Sequence, residues 1–177
     1  AYTVTNWVDI TGSKSAEIAM EEAEARRRIL VDQSRDGIVI LDQNGNVFEA
    51  NGKFAEMLGY STEEVQKLSA LDWEYVFPPE ETLGMLRNVD EKGDHFETRH
   101  RRKDGSTYDV EISTNAAVFS GQKLIFCVCR DITERKRMEE ELRQSESRIR
   151  TTVDSMPQGL MVTDMDGLII QVNKPAL

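Results

Sequence analysis

The chain has few long apolar runs and little cysteine or histidine. None of its apolar runs approaches the roughly 20 residues that a membrane-spanning helix needs, and no signal peptide is visible at its start. Hydrophobic residues make up 39% of the 177 residues and charged residues 31%, a mixture that excludes the collagen-like, transmembrane and wholly disordered classes. The length predicts one ordinary domain, alone or with attachments.

The two cysteines, Cys127 and Cys129, are two positions apart. On a strand they share one face but lie too far apart for an unstrained disulfide, which favours small buried side chains in a reducing compartment. The net charge of −10 argues against binding to bulk nucleic acid. We therefore expect a cytoplasmic protein with no nucleic-acid partner and no membrane segment.

Signatures of enzyme chemistry are scarce. No P-loop, G-x-S-x-G or H-E-x-x-H pattern occurs, and the two histidines, His95 and His100, lie in a predicted strand arm. The basic run at 99–103 precedes Asp104-Gly105, which favours a solvated hairpin over the alternative of a docking patch. We therefore expect both histidines at the surface, and we predict no catalytic residues and no metal site.

An internal repeat organises the chain. The segment 31–37 returns at 153–159, and Asp9-Ile10-Thr11 returns as Asp131-Ile132-Thr133, both at an offset of 122 residues. The later residues Asp42, Gly45 and Asn51 return at the same offset, as Asp164, Gly167 and Asn173. A period this long indicates a domain and not a solenoid unit. The chain therefore holds one complete period and part of another, as expected of a piece of a longer tandem array.

The complete period predicts an α+β domain. Residues 37–51 form a predicted hairpin around Asn44-Gly45, followed by short helices that start at Asn51, Ser61 and Pro79. Gly59 and Gly93 are predicted to end the first and the last of these helices. Three further strands follow, with predicted turns at Asp104-Gly105 and Gly121-Gln122. Together these elements predict a five-stranded antiparallel sheet with short helices on one face.

The segments 13–33 and 134–155 are charge-dense and rich in helix-forming residues. Met138, Leu142, Ile149 and Met156 fall on a heptad-like seam. A solvated helix that lies on its own domain would also fit this pattern. We favour a parallel two-helix coiled coil, because the helix joins two copies of one module.

The ordered motifs resemble a PAS domain. Asp36-Gly37-Ile38-Val39, Asn44-Gly45, Asn51 and Leu58-Gly59-Tyr60 are similar to its start, and 102–106 to its hairpin between the third and fourth strands. The run 130–136 resembles the signature that ends the last strand and starts the signalling helix. The resemblance implies five segments: the end of an upstream PAS unit at 1–12, a linker helix at 13–33, a complete PAS domain at 34–133, a linker or signalling helix at 134–156, and the start of a downstream PAS unit at 157–177.

The resemblance also implies a function. PAS domains are sensory and dimerisation modules, and tandem units joined by such helices look like the input half of a sensor histidine kinase in a two-component phosphorelay. We expect a homodimer through the linker helices and the outer sheet face, with adjacent PAS units and a downstream output domain as further partners. A ligand-free spacer, or the input half of a diguanylate cyclase or transcriptional regulator, remains the alternative.

The family pattern places a candidate ligand pocket between the sheet and the short helices. The cofactor stays unknown, because the helix at about 80–92 lacks the histidine of haem-binding members, and the stretch 61–79 lacks the Asn-Cys-Arg-Phe motif of flavin-binding LOV members. A filled core without a ligand is the plainer alternative. The candidate pocket residues are Val39, Leu41, Phe54, Trp73, Val110, Ile112, Thr114, Cys127 and Cys129.

Asp131, Ile132 and Thr133 are the candidates for signal transfer, because they lie where the last strand becomes the signalling helix. At that position the carboxylate of Asp131 can cap the helix or pair with a basic residue. A purely structural junction is the alternative.

Overall fold

The computed structural model of the chain describes residues 11–173, apart from the side chains of 11–19, 21, 28, 170 and 171. Most of the predicted upstream PAS remnant, residues 1–10, and the last four residues of the predicted downstream unit fall outside this range. The chain divides into two compact units, one up to Asp131 and one from Ile132 onward.

The first unit is built on a five-stranded antiparallel sheet with the strand order β2-β1-β5-β4-β3. The last strand of this unit, β5, therefore occupies the centre of the sheet, as its continuous apolar run predicts. A helix, α1, precedes the sheet. The bounds are α1 Thr11–Asp32, β1 Gly37–Asp42, β2 Val47–Ala50, β3 Asp94–Arg101, β4 Thr107–Phe119 and β5 Gln122–Asp131.

Four short helices connect β2 to β3, and local capping signals fix where they begin. Asn51 accepts a hydrogen bond from the backbone N–H of Phe54 and so caps α2, as predicted. Ser61 and Glu64 form a reciprocal capping box at α3. The bounds are α2 Gly52–Leu58, α3 Thr62–Val65, α4 Ala70–Trp73 and α5 Pro79–Asn88. The α+β architecture predicted from the sequence is confirmed.

Two predicted boundaries were wrong. Helix α5 ends at Asn88, so Gly93 does not close it. Gly93 instead has φ +73° in the loop before β3, where a Cβ atom would lie 1.7 Å from the carbonyl oxygen of Thr114. The β4–β5 turn is Ser120-Gly121, one residue earlier than predicted, because both residues have the positive φ angles of a tight hairpin turn.

The sheet has a buried face and a more exposed face. Alternate residues along β4, from Tyr108 to Ala116, are buried, while Phe126 and Val128 on β5 remain 39% and 41% exposed. The short helices cover the buried face: the ring of Phe54 packs edge-on against Trp73, with 5.2 Å between centroids. The core therefore lies between one sheet face and the helices α2–α5.

The second unit consists of helix α6, Thr133–Ser155, and an antiparallel hairpin of β6, Met161–Thr163, and β7, Ile169–Val172. No residue of α6 is buried, and Met138, Leu142 and Ile149 of the predicted seam are exposed. In the described part of the chain, no helix is long and apolar enough to span a lipid bilayer.

The sequence repeat extends to individual hydrogen bonds. The side-chain oxygen of Asn51 accepts from the N–H groups of Ile38 and Phe54, and its amide donates to the carbonyls of Val31 and Asp36. In the second unit Asn173 accepts from Leu160 and donates to Val153 and Gln158, the positions 122 residues further along. The asparagine therefore joins the end of a helix to the start of a sheet in both units.

Candidate functional site

A small cavity of about 60 Å³ lies between the inner sheet face and helices α4 and α5. Seven of the nine predicted pocket residues are part of its wall: Val39, Leu41, Trp73, Ile112, Thr114, Cys127 and Cys129. The other two, Phe54 and Val110, are fully buried in the core and are not part of the wall. The ligand-binding role of all nine stays a prediction.

The sequence reasoning missed the wall residues supplied by the segment 70–86 and by β3. They come from the helices α4 and α5, the loop between them, and one strand whose inward positions were not assigned. They are Ala70, Glu74, Phe77, Thr82, Met85, Leu86, Phe96 and His100.

His100 was expected at the surface, and this was wrong: the residue is 1% exposed and contributes to the cavity wall. On β3, Thr98 and His100 are buried, while Arg99 and Arg101 between and after them are exposed. The basic neighbours led to the wrong assignment, because the alternation, and not the local charge, decides which side chains point inward. The strand-period pattern Thr-Arg-His-Arg was the signal that could have found it. His95, in contrast, is exposed, as expected.

The buried imidazole of His100 has a defined partner. Its Nδ1 lies 3.2 Å from the hydroxyl of Tyr108, which is its cross-strand neighbour, and the two rings meet edge-on. Burial lowers the pKa of His100 to about 3 and raises the pKa of Tyr108 well above its usual value. Both side chains are therefore neutral at physiological pH.

Glu74 ties the α4–α5 loop to the sheet at the edge of the cavity. Its Oε1 accepts hydrogen bonds from the hydroxyl of Thr98 at 2.8 Å and from the N–H groups of Val76 and Phe77 at 2.8 and 3.2 Å. A backbone hydrogen bond from Tyr75 to Arg99 supports the same attachment. The loop that closes one side of the cavity is therefore held by a carboxylate from the loop itself.

The thiols of Cys127 and Cys129 lie on the cavity wall in the middle of the sheet. Cys127 pairs across the sheet with Val39 and Thr114, and both cysteines are free and buried. Burial raises the pKa of Cys127 to about 12 and raises the pKa of Cys129 as well. Both groups are therefore thiols, not thiolates, at neutral pH, and weak nucleophiles. Among the side chains that the structure describes, no three from His, Cys, Asp or Glu gather in a way that suits a metal ion.

The end of β5 carries a polar cluster. Asp131 pairs with Arg102 of the β3–β4 hairpin, with 3.0 Å between carboxylate and guanidinium. Arg102 also donates to the carbonyl of Met57 and lies over the ring of Tyr108, 4.0 Å from its centroid. The side chain of Tyr108 therefore links His100 at the cavity to Arg102 and Asp131 at the end of the sheet.

A second ion pair lies beside the first. Arg130 donates two hydrogen bonds to Asp36, at 3.0 and 2.8 Å, and this pairing lowers the pKa of the Asp36 carboxyl. Of the three predicted signal-transfer residues, Asp131 takes part in this cluster, Ile132 is buried, and Thr133 is the first residue of α6. Their role in signal transfer stays a prediction.

The comparisons with known proteins agree on one family. A family model described as a PAS domain matches residues 35–134, and a second PAS domain model matches residues 147–177. Over 76% of its length the chain is 32% identical to the methyl sulfide methyltransferase-associated sensor of Methanosarcina acetivorans, and over 84% it is 27% identical to sporulation kinase E of Bacillus subtilis. It spans only 14% and 20% of the length of these two relatives.

A solved structure of a PAS domain is also similar to this chain. The PAS domain of an HTR-like protein from Haloarcula marismortui superposes with a TM-score of 0.63 at 31% identity. The match covers 67% of this chain and 99% of that domain.

Proposed function

Since the chain belongs to the PAS domain family, we propose that it is a sensory and dimerisation module that detects a small ligand and transmits the signal through its linker helices to a downstream histidine kinase. The observation that carries this proposal is the cavity under the sheet, whose wall contains a buried, neutral histidine. The cavity and the histidine on its wall favour ligand binding over a filled core. On this proposal the chain itself has no catalytic residues, and the segments 1–12, 34–133 and 157–177 belong to successive PAS units of a cytoplasmic protein.

Native mass spectrometry and an absorption spectrum of the purified chain test ligand detection. Extra bound mass or a coloured preparation supports it. Repeatedly empty, colourless preparations that also bind no added small molecule favour the alternative, a spacer that only dimerises and transmits. A second alternative concerns the output domain, which could be a diguanylate cyclase or a transcriptional regulator in place of a kinase. The PAS fold does not determine which of these outputs follows.

The exposed apolar residues support a homodimer. Phe126 and Val128 leave an apolar patch on the outer sheet face, and α6 presents Leu142 and Ile149 on its seam. Sedimentation equilibrium of the chain tests this: we expect a dimer that Leu142→Glu weakens at least tenfold. Ser147→Glu adds the same charge off the seam and serves as the control. A monomeric wild-type chain at high concentration would contradict the proposal.

Signal transfer through Asp131 is the third part of the proposal. Its ion pair with Arg102 supports this role, because the pair joins the end of β5 to the hairpin that carries Tyr108. In the intact parent protein, Asp131→Ala should abolish the response to the signal while the domain stays folded by circular dichroism. Arg102→Asp combined with Asp131→Arg should restore part of the response. An unchanged response in folded Asp131→Ala would contradict the proposed role.

A further inference from the structure

Among the residues that the structure describes, one ring nitrogen of His100 has no hydrogen-bond partner. Nδ1 is engaged by the hydroxyl of Tyr108, whereas no hydrogen bond joins Nε2 to any other residue that the structure describes. Among these same residues, no fully enclosed side-chain nitrogen or oxygen lacks a partner. Nε2 must therefore border free space, and the free space at His100 is the cavity. Buried polar atoms are nearly always paired, so this nitrogen calls for a partner inside the cavity.

The size of the cavity limits that partner. A water molecule fills about 10–15 Å³ of a cavity. The cavity of 60 Å³ therefore holds about four to six groups of that size. Pockets for drug-sized molecules are several times larger, at roughly 300–1,000 Å³. A ligand that fits without rearrangement of α4 and α5 is therefore small, on the order of five or six non-hydrogen atoms.

The chemistry of the wall limits its charge. Most of the wall is apolar, including Val39, Leu41, Trp73 and Ile112. Burial lowers the pKa of His100 to about 3, so the imidazole carries no charge that could balance an anion. The carboxylate of Glu74, also on the wall, would repel an anion, and its Oε1 already accepts three hydrogen bonds. An anion would therefore lose its hydration without full compensation, and a cation would find on the wall one carboxylate whose Oε1 is already engaged by three donors.

We propose that the cavity binds a small neutral organic molecule with one hydrogen-bonding oxygen, such as a short-chain ketone or alcohol, anchored by Nε2 of His100. This rests on the proposed ligand-sensing function and specifies its ligand class. The anchoring bond accounts for specificity: an apolar molecule of the same shape would leave Nε2 unpaired. Leaving a buried polar group unpaired costs enough to weaken binding about 5- to 150-fold.

The test compares two probes of the same size on the whole 177-residue chain. The probes are 2-butanone and 2-methylbutane, which each have five non-hydrogen atoms but differ in the carbonyl oxygen. Binding is followed by NMR of a sample that carries ¹⁵N only in histidine. The two histidines then give separate signals, and the exposed His95 serves as an internal control. We expect saturable binding of 2-butanone that shifts the Nε2 signal of His100 and leaves that of His95 unchanged, with 2-methylbutane at least fivefold weaker.

Two variants test whether Nε2 of His100 is responsible for the preference between the probes. His100→Phe keeps an aromatic ring and should bind both probes equally. Tyr108→Phe leaves Nε2 in place and should retain the preference. Equal binding of the two probes to the wild-type chain, or no change at Nε2 on binding, would overturn the inference while the ligand-sensing function stands. The same holds if native mass spectrometry finds a large or charged molecule in the cavity. If nothing binds and nothing copurifies, the proposed sensing function itself fails.

Discussion

Replacing Asn51 should be among the most destabilising single changes in the first unit. The residue is 2% exposed and makes four side-chain hydrogen bonds, to Val31, Asp36, Ile38 and Phe54. At about 0.5–1.5 kcal/mol per bond, Asn51→Ala should lower the free energy of unfolding by about 2–6 kcal/mol. That is a large fraction of the roughly 5–15 kcal/mol that stabilises a typical domain.

Two further variants separate the contributions of the individual hydrogen bonds of Asn51 to this loss of stability. Asn51→Ser keeps an oxygen that can cap α2 through the N–H of Phe54, so it should recover about 1 kcal/mol relative to Asn51→Ala. Asn51→Asp keeps both acceptor bonds but places an oxygen against the carbonyls of Val31 and Asp36. It should therefore remain destabilised despite its nearly identical shape.

Urea unfolding followed by the fluorescence of Trp73 provides the assay. Trp73 lies in the core at 4% exposure, and a Trp7→Phe background leaves it as the single tryptophan. Asn173→Ala is the matched control, because it removes the three equivalent bonds to Val153, Gln158 and Leu160 in the second unit and should not move the Trp73 transition. A loss below about 0.5 kcal/mol in Asn51→Ala, or an equal shift in Asn173→Ala, would refute the reasoning.

Three other predictions can be measured on the same chain. Gly93→Ala should lower the free energy of unfolding in urea by more than about 2 kcal/mol, because Gly93 has a positive φ and an added Cβ atom would clash with Thr114. The control Gly84→Ala, within α5, meets no atom within 4 Å and should raise the free energy of unfolding by about 0.5–1 kcal/mol. Equal effects of the two substitutions would show the backbone argument to be wrong. Both cysteines should resist Ellman's reagent at pH 8 until the chain unfolds, since burial raises the pKa of each thiol; fast labelling of native protein would contradict this. Arg130 lowers the pKa of Asp36 in the folded state. The ion pair should therefore stabilise the fold fully when the pH is above the carboxyl pKa of the unfolded chain, about 3.9. This stabilisation should vanish as the pH falls through the lower pKa that Asp36 has in the folded state. Arg130 is largely exposed and Asp36 partly exposed, so Asp36→Asn should cost only about 0.5 kcal/mol at pH 7, and a cost that persists at pH 2 would argue against the ion pair.

The sequence predicted the sheet and most helix boundaries because their signals are local. The caps at Asn51 and Ser61 and the turn at Gly105 depend on neighbouring residues and on one backbone angle. The inward positions on β1, β4 and β5 followed from alternation together with the resemblance to the PAS family. Where a local signal admitted two registers, as at the Ser120-Gly121 turn, the prediction was one residue off.

The parts of the site that were missed depend on contacts between distant segments. His100 looked like a surface residue among basic neighbours, and only its pairing with Tyr108 and its place opposite α4 explain its burial. Glu74 gave no sequence signal, since its role depends on Thr98, which is 24 positions away. The volume of the cavity depends on how α4 and α5 pack on the sheet, which no periodicity encodes.

The paired asparagine networks have a consequence for how such a protein can change in length. Each network is closed within its own copy: the asparagine, the helix end it holds and the strand it starts all shift together by 122 positions. Deleting or duplicating one whole period would therefore leave each asparagine with the partners of its own copy, whereas a cut between an asparagine and these partners would remove some of its hydrogen bonds. Unequal crossing-over between copies could add or remove sensory units in one step, and a protein engineer could exchange the cassette at Asp9 and Asp131 by the same rule.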